Sequence, residues 1–390
     1  MDSLANGLGL YVHWPYCARI CPYCDFNVYR PRDGGDELLD AILQDMAFWH
    51  SQTRSRRLAS IHFGGGTPSL MTGHQVEAII SRAAELWGLE ARIEIGLEAN
   101  PRDVGRYADF KSAGVTRLSV GAQSFDNQVL KSLGRDHGAD QSALAIKEAQ
   151  RVFAAVSIDL IYALAGQDLA HWQTELEQAL RFGVGHLSPY QLTIEAQTSF
   201  GKRAARGEVL DAPPDLAADF YEMTQALCDK HGLAGYEISN HARSEAEQSR
   251  HNRLYWAGGD WIGVGPGAHG RVGASISGGR RATTAHRRPQ IYREAIETGQ
   301  SVWQDDDILT ASEEAAERIL MGLRVHSGLD RSHLRRTTGQ DIDLNALERW
   351  SEAQLMRSDG DQAWLTAAGR LLADRLSGEL VGDFSVEQGR

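Results

Sequence analysis

The chain has 390 residues, 42% of them hydrophobic, and a formal net charge of −12, which fits one large domain plus a smaller one with a sizeable core. The acidic balance disfavours nonspecific attraction to nucleic acid or anionic membrane, both of them polyanions. No apolar run approaches the roughly 20 residues that span a bilayer, and no basic segment followed by an apolar core opens the sequence, so a cytoplasmic protein is expected.

Leu10, Val12 and Trp14 alternate with Tyr11 and His13, the period of a short strand. That strand delivers the chain into Cys17, Cys21 and Cys24, three of the four cysteines, spaced Cys-x3-Cys-x2-Cys. Thiolates this close, with no fourth cysteine beside them, suit an iron-sulfur cluster with one open iron better than a structural zinc site, which usually takes four protein ligands. A zinc ion with a distant fourth ligand is the alternative. The remaining Cys228 stands alone in an apolar helical stretch and reads as a buried small hydrophobe.

From Asp36, the residues Leu39, Ile42, Leu43, Met46 and Trp49 follow helical spacing, which completes one strand-loop-helix unit. The pattern then repeats. A strand over 60–63 enters Gly64-Gly65-Gly66-Thr67-Pro68, and Thr72 with Gln75 offers a capping box for the next helix. Further strands are expected over 93–97, 117–120, 155–162 and 186–194, with helices over 141–152 and 168–182 among those between them. Six such units predict parallel βα structure, and in either an open barrel or a doubly wound sheet ligands gather at the C-terminal strand ends.

Beyond residue 194, Pro213-Pro214 opens a long helix over 217–231, and the glycine-rich run 258–273 reads as irregular backbone where the chain turns tightly or approaches a ligand. Gly278-Gly279-Arg280-Arg281 marks a boundary between domains 1–275 and 285–390. The second part carries helical patterns over 289–297, 311–323, 330–338 and 344–355, a hairpin around Asp359-Gly360 and a last helix over 366–376, the pattern of a small winged-helix-like α+β domain.

The cysteine spacing, with Gly65, Gly66 and Thr67 one strand later, resembles the radical S-adenosylmethionine (SAM) superfamily. The resemblance decides the architecture in favour of a partial (β/α)6 TIM-type barrel. It implies a [4Fe-4S] cluster on Cys17, Cys21 and Cys24 whose open iron is chelated by SAM. Within the superfamily the chain is most similar to the anaerobic coproporphyrinogen-III oxidase-like family, which implies further SAM contacts. Tyr11 would line the cluster side and Tyr23 would pack on the adenine. Gly65, Gly66 and Thr67 would hold the methionyl part, Glu98 the amino group, Arg135 the carboxylate and Asp159 the ribose, with Gln123 supplying an amide. The turn after the fifth strand departs from the family's Tyr-Gly-Leu-Pro-Gly-Gln, reading Tyr162-Ala163-Leu164-Ala165-Gly166-Gln167.

Two features select a branch. Phe26 stands where the dehydrogenase has a further cysteine, and His251-Asn252-Arg253-Leu254-Tyr255-Trp256 matches the His-Asn-x-x-Tyr-Trp motif of the heme chaperones. The resemblance therefore implies heme as a third cofactor, with His251 as its iron ligand and His241 and His269 as rivals. It implies acceptor hemoproteins and an electron donor as partners, and it leaves open peripheral membrane association and a monomer or homodimer. A radical SAM fold able to cleave SAM, with heme binding and transfer as its main role, is the expectation. A radical enzyme acting on a tetrapyrrole, by porphyrinogen oxidation or anaerobic heme opening, is the alternative, and the acidic balance disfavours a nucleic-acid-modifying enzyme.

Overall fold

Strict alternation organises the first two hundred residues: apolar side chains on one face of each strand pack under helices, and polar ones line the other. The computed structural model describes residues 3–31, 35–53, 56–274 and 278–381. The strands are β1 (Leu8–Trp14), β2 (Leu58–Gly65), β3 (Leu89–Ala99), β4 (Arg117–Gln123), β5 (Ala155–Tyr162) and β6 (His186–Gln191), each paired in parallel with the next. Helices Asp36–Gln52, Gly73–Trp87, Tyr107–Ser112, Ala139–Val152 and Leu169–Leu180 lie between them. The second of these starts at the expected capping box, with Thr72 and Gln75 each bonding the other's backbone N–H. Leu10, Val12, Ile61, Phe63, Ile95, Leu97, Leu118, Val120, Ile158 and Leu160 all belong to the core under these helices.

The opposite face carries Tyr11, His62, Glu98, Ser119, Asp159 and Ser188, so the inside of this partial (β/α)6 barrel is polar. Parallel strands buried on both faces usually read as continuous apolar runs. Here the alternation marks a lined interior.

After helix Pro214–Lys230, short β7 (Ala234–Gly235) and β8 (His241–Ala242) run antiparallel to each other, and β8 also pairs antiparallel with β6. The chain then crosses to the other side of the sheet. There β9 (Asp260–Val264) pairs in parallel with β1, and β10 (His269–Ala274), β11 (Gly279–Ala285) and β12 (Trp303–Leu309) extend the sheet antiparallel. The run 258–273, expected as irregular backbone, thus contains two strands. Its glycines serve close backbone approach within the sheet: a Cβ on Gly263 would sit 2.1 Å from the His269 carbonyl oxygen. Gly279-Arg280-Arg281, expected at a boundary, lies inside β11, and residues 275–277 fall outside the described set.

Ala311–Arg324, Arg331–Thr338 and Leu344–Glu352, with β13 (Leu329–Asp330) and the hairpin of β14 (Met356–Asp359) and β15 (Gln362–Leu365), form the winged-helix-like part. The expected last helix divides into Ala367–Arg370 and Ala373–Val381. A second apolar cluster, from Ala315 to Leu380, holds this part together. It is fastened to the barrel by Arg318 donating to the Gly258 carbonyl at 2.9 Å and by the His326 N–H donating to the Tyr236 carbonyl at 3.0 Å.

Candidate functional site

The C-terminal ends of β1 to β6 surround a cavity of about 330 Å³. The loop after β1 is pinned from several sides: Gly66 N–H donates to the Trp14 carbonyl at 2.8 Å, Thr67 N–H to that of Tyr16 at 2.8 Å, and Cys17 N–H to that of Tyr29 at 2.9 Å. A Cβ on Gly66 would stand 2.8 Å from the Pro15 carbonyl carbon and the Tyr16 oxygen, so only glycine lets the β2 turn close on the cysteine loop.

Eleven of the residues singled out in the sequence line this one cavity: Cys17, Cys21, Cys24, Tyr23, Gly65, Gly66, Thr67, Glu98, Gln123, Arg135 and Asp159. The three cysteines are free thiols. Thr67 Oγ1 donates to Cys17 Sγ at 3.3 Å, and Arg135 Nη1 to Cys21 Sγ at 3.5 Å. Burial pushes the Cys17 thiol up and that of Cys24 to about 12, so thiolates here need a partner that replaces the proton.

Arg135 also donates from Nη2 to the Gly121 carbonyl at 3.1 Å, while its Nε is buried with no hydrogen-bond partner among the described residues. A buried guanidinium on the cavity wall with a donor left unpaired suits a carboxylate. Across the cavity the Ser119 hydroxyl lies 2.9 and 2.8 Å from the two Asp159 carboxyl oxygens, and burial raises that carboxyl to about 6. Gln123 holds a left-handed backbone at φ 65°, a strained conformation of the kind that gathers at functional sites. Three thiols, an unpaired guanidinium nitrogen and a glycine cradle fit an iron-sulfur cluster with an amino-acid-bearing ligand on its open side.

Two expected members are not in this cavity. Tyr11 points into the barrel, where its hydroxyl lies 3.1 Å from His13 Nδ1 and its ring stacks on His62. His251 sits at the opposite, N-terminal mouth of the barrel, 1% exposed, on helix Arg250–Trp256. Its Nδ1 lies 2.9 Å from Ser60 Oγ, its Nε2 bonds the Tyr255 hydroxyl, and its ring stacks on His62 with centroids 4.9 Å apart. Both ring nitrogens are engaged, so His251 offers no lone pair to a heme iron here. The rivals differ: His241 is fully buried, with neither ring nitrogen hydrogen-bonded among the described residues, and burial pushes it down to about 3. His269 is exposed at the start of β10, its Nδ1 3.3 Å from Thr284 Oγ1.

Sequence reasoning missed Phe26 as a wall residue, 60% exposed at the mouth, together with Asn100, Asp136, Tyr190 and Gln191. Asn100 and Tyr190-Gln191 lie at strand ends, the rule that already nominated Glu98 and Gln123, and Asp136 adjoins Arg135.

Comparison with known proteins agrees with this geometry. Residues 11–179 match the radical SAM superfamily model. The chain is 39% identical to radical S-adenosyl methionine domain-containing protein 1, mitochondrial, from Bos taurus, over 83% of this chain and 74% of that one. It is 30% identical to heme chaperone HemW from Bacillus subtilis, over 96% of this chain and 99% of that one. Among solved structures, coproporphyrinogen III oxidase (HemN) from Escherichia coli, a radical SAM enzyme, superposes with a TM-score of 0.81 at 21% identity, covering 97% of this chain and 90% of the other.

Proposed function

This chain belongs to the HemW-like family of radical SAM proteins, and from that membership we propose that it is a heme chaperone, binding heme and passing it to acceptor hemoproteins. The observation that carries the reading is the likeness to a named heme chaperone over 96% of the chain. The likeness to an oxidase, at 21% identity, is one of fold alone. Phe26 at the cavity mouth supports the same side, since the oxidase-like pattern calls for a cysteine there.

In this reading Cys17, Cys21 and Cys24 hold a [4Fe-4S] cluster, which when bound supplies an electron to SAM. Arg135 and Thr67, already donating to cysteine sulfurs, offset thiolate charge. The Arg135 guanidinium takes the SAM carboxylate and Glu98 its amino group, while Gly65 and Gly66 admit the methionyl chain. Asp159, fixed by Ser119, accepts from the ribose hydroxyls, and Tyr23 covers the adenine. Gln123 adds an amide to the same wall. A cytoplasmic setting, reducing enough to keep these thiols free for iron, and an electron donor for the cluster belong to the same proposal.

The test is one anaerobic incubation of reconstituted protein with heme, SAM and reductant, read by mass spectrometry and by transfer to an apo-hemoprotein. Intact heme and a loaded acceptor are expected. An altered tetrapyrrole formed over many turnovers would sink the chaperone reading in favour of a tetrapyrrole enzyme.

A further inference from the structure

Glu98, near the end of β3, puts its carboxylate on the cavity wall, and His62 lies beside it on β2. We propose that His62 is a positioning residue for SAM, holding the Glu98 carboxylate ready for the ligand's ammonium group. The inference rests on the SAM-site reading above.

The contact is direct. His62 Nε2 lies 3.1 Å from Glu98 Oε1, and since a carboxylate only accepts, that ring nitrogen carries the proton and donates. Glu98 Oε2 accepts no hydrogen bond among the described residues. A carboxylate tied through one oxygen keeps the other for a cation. The Glu98 side chain is 40% exposed, so without a partner it would sample several rotamers. The imidazole removes that freedom before the ligand arrives, which lowers the ordering cost of binding.

The imidazole is itself held in place. Its ring lies nearly parallel to that of His251, 15° apart with centroids at 4.9 Å, and to that of Tyr11, 13° apart at 6.3 Å. His251 in turn is fixed at both nitrogens by Ser60 and Tyr255. Helix Arg250–Trp256 therefore sets His62, and His62 sets Glu98, which connects the plugged end of the barrel to the ligand cavity.

Two glycines leave space for the pair. His62 sits opposite Gly96 in the sheet, and a Cβ on Gly96 would stand 2.8 Å from His62 Nδ1. A Cβ on Gly64 would stand 2.9 Å from Tyr11 Cε2 and 3.1 Å from Glu98 Oε1. Both glycines lie inside strands, where the residue weakens the sheet and marks a close approach. The first glycine of the Gly64-Gly65-Gly66 run thus serves Tyr11 and Glu98.

The experiment is equilibrium SAM binding by the full-length, cluster-reconstituted protein, expressed per loaded cluster. His62→Phe keeps a ring to stack and removes the donor, and should bind SAM about fivefold to tenfold more weakly. His62→Gln, whose amide can replace the Nε2 donor, should recover most of that loss. Gly96→Ala, which displaces the ring without altering it, should resemble His62→Phe. Glu98→Ala should weaken binding at least as much, and adding His62→Phe to it should have no further effect. Wild-type affinity in His62→Phe, or an equal loss with and without Glu98, overturns the positioning role and leaves the SAM site standing. Wild-type affinity in Glu98→Ala rejects the amino-group assignment and the positioning role with it. Absence of SAM binding by wild type rejects the SAM-site reading itself.

Discussion

Ser60 Oγ lies 2.9 Å from His251 Nδ1, joining the second barrel strand to a helix nearly two hundred residues later. Ser60 is fully buried and His251 nearly so, and the Tyr255 hydroxyl closes the other side of the imidazole. His251→Ala strands two hydroxyls and empties the space over His62. It should cost about 3 kcal/mol of stability while leaving heme affinity unchanged. Chemical denaturation and a heme titration of the same variant check both halves, and a lost Soret band with unaltered stability would return the ligand role to His251.

Cys21 is set apart by its contact with Arg135. Cys21→Ser should abolish cluster assembly. Arg135→Met keeps the thiols and removes the guanidinium, so SAM affinity should fall about tenfold or more, with iron content largely retained. Iron analysis and equilibrium SAM binding separate the two. Equal loss of iron in both variants would mean that Arg135 serves the cluster alone.

Ala163 has φ 63° in the turn after β5, at the position where the family's pattern carries glycine. The turn keeps its left-handed backbone although the residue has changed. Ala163→Gly is therefore expected to stabilise the protein by about 1 kcal/mol, since a Cβ in that region is disfavoured by roughly 1–2 kcal/mol. A melting temperature at or below that of wild type would show that the buried methyl group contributes more than the strain costs.

Asp45 is buried beneath helix Pro289–Thr298, accepting from the Tyr292 hydroxyl at 2.6 Å, and burial lifts its carboxyl from 3.8 to about 7. The folded protein therefore keeps a proton that the unfolded chain releases above about pH 4. This contribution is fully present below the ordinary carboxylate range, declines as pH rises, and is lost once pH passes about 7. Asp45→Asn should gain stability relative to wild type between pH 5 and pH 8, by at most about 4 kcal/mol. Paired thermal melts across that range test it, and a constant difference would mean the carboxyl titrates normally.

Much of the site was readable because βα proteins place chemistry at strand ends. Cys17, Gly66, Glu98 and Gln123 follow or close successive strands, Asp159 lies within β5 where the strand was expected to end, and one cavity gathers them. Tyr11, named through the resemblance alone, sits within β1 with its ring beside those of His13 and His62, a matter of pleat and not of motif. His251 was legible as notable but not in its role, because no local pattern reveals that Ser60 lies opposite. In the fold, β12 was missed: Asp305, Asp306 and Asp307 have low strand propensity and suit an exposed edge, where charge discourages pairing with another chain. The strands in 258–273 were hidden because glycines that permit close sheet packing look, in sequence, like glycines that break it.

The pairing of Leu8 with Asp260 sets an order of events in the cell. β1, which leads into the cysteine loop, lies between β2 and β9, so one flank stays open on the ribosome until residue 264 has emerged. The polar interior is likewise uncapped until helix Arg250–Trp256 has been made. Long-range parallel pairing is slow to form and exposes strand edges meanwhile. A shorter nascent chain already carries all three thiols, in a loop whose leading strand is not yet fixed on both sides.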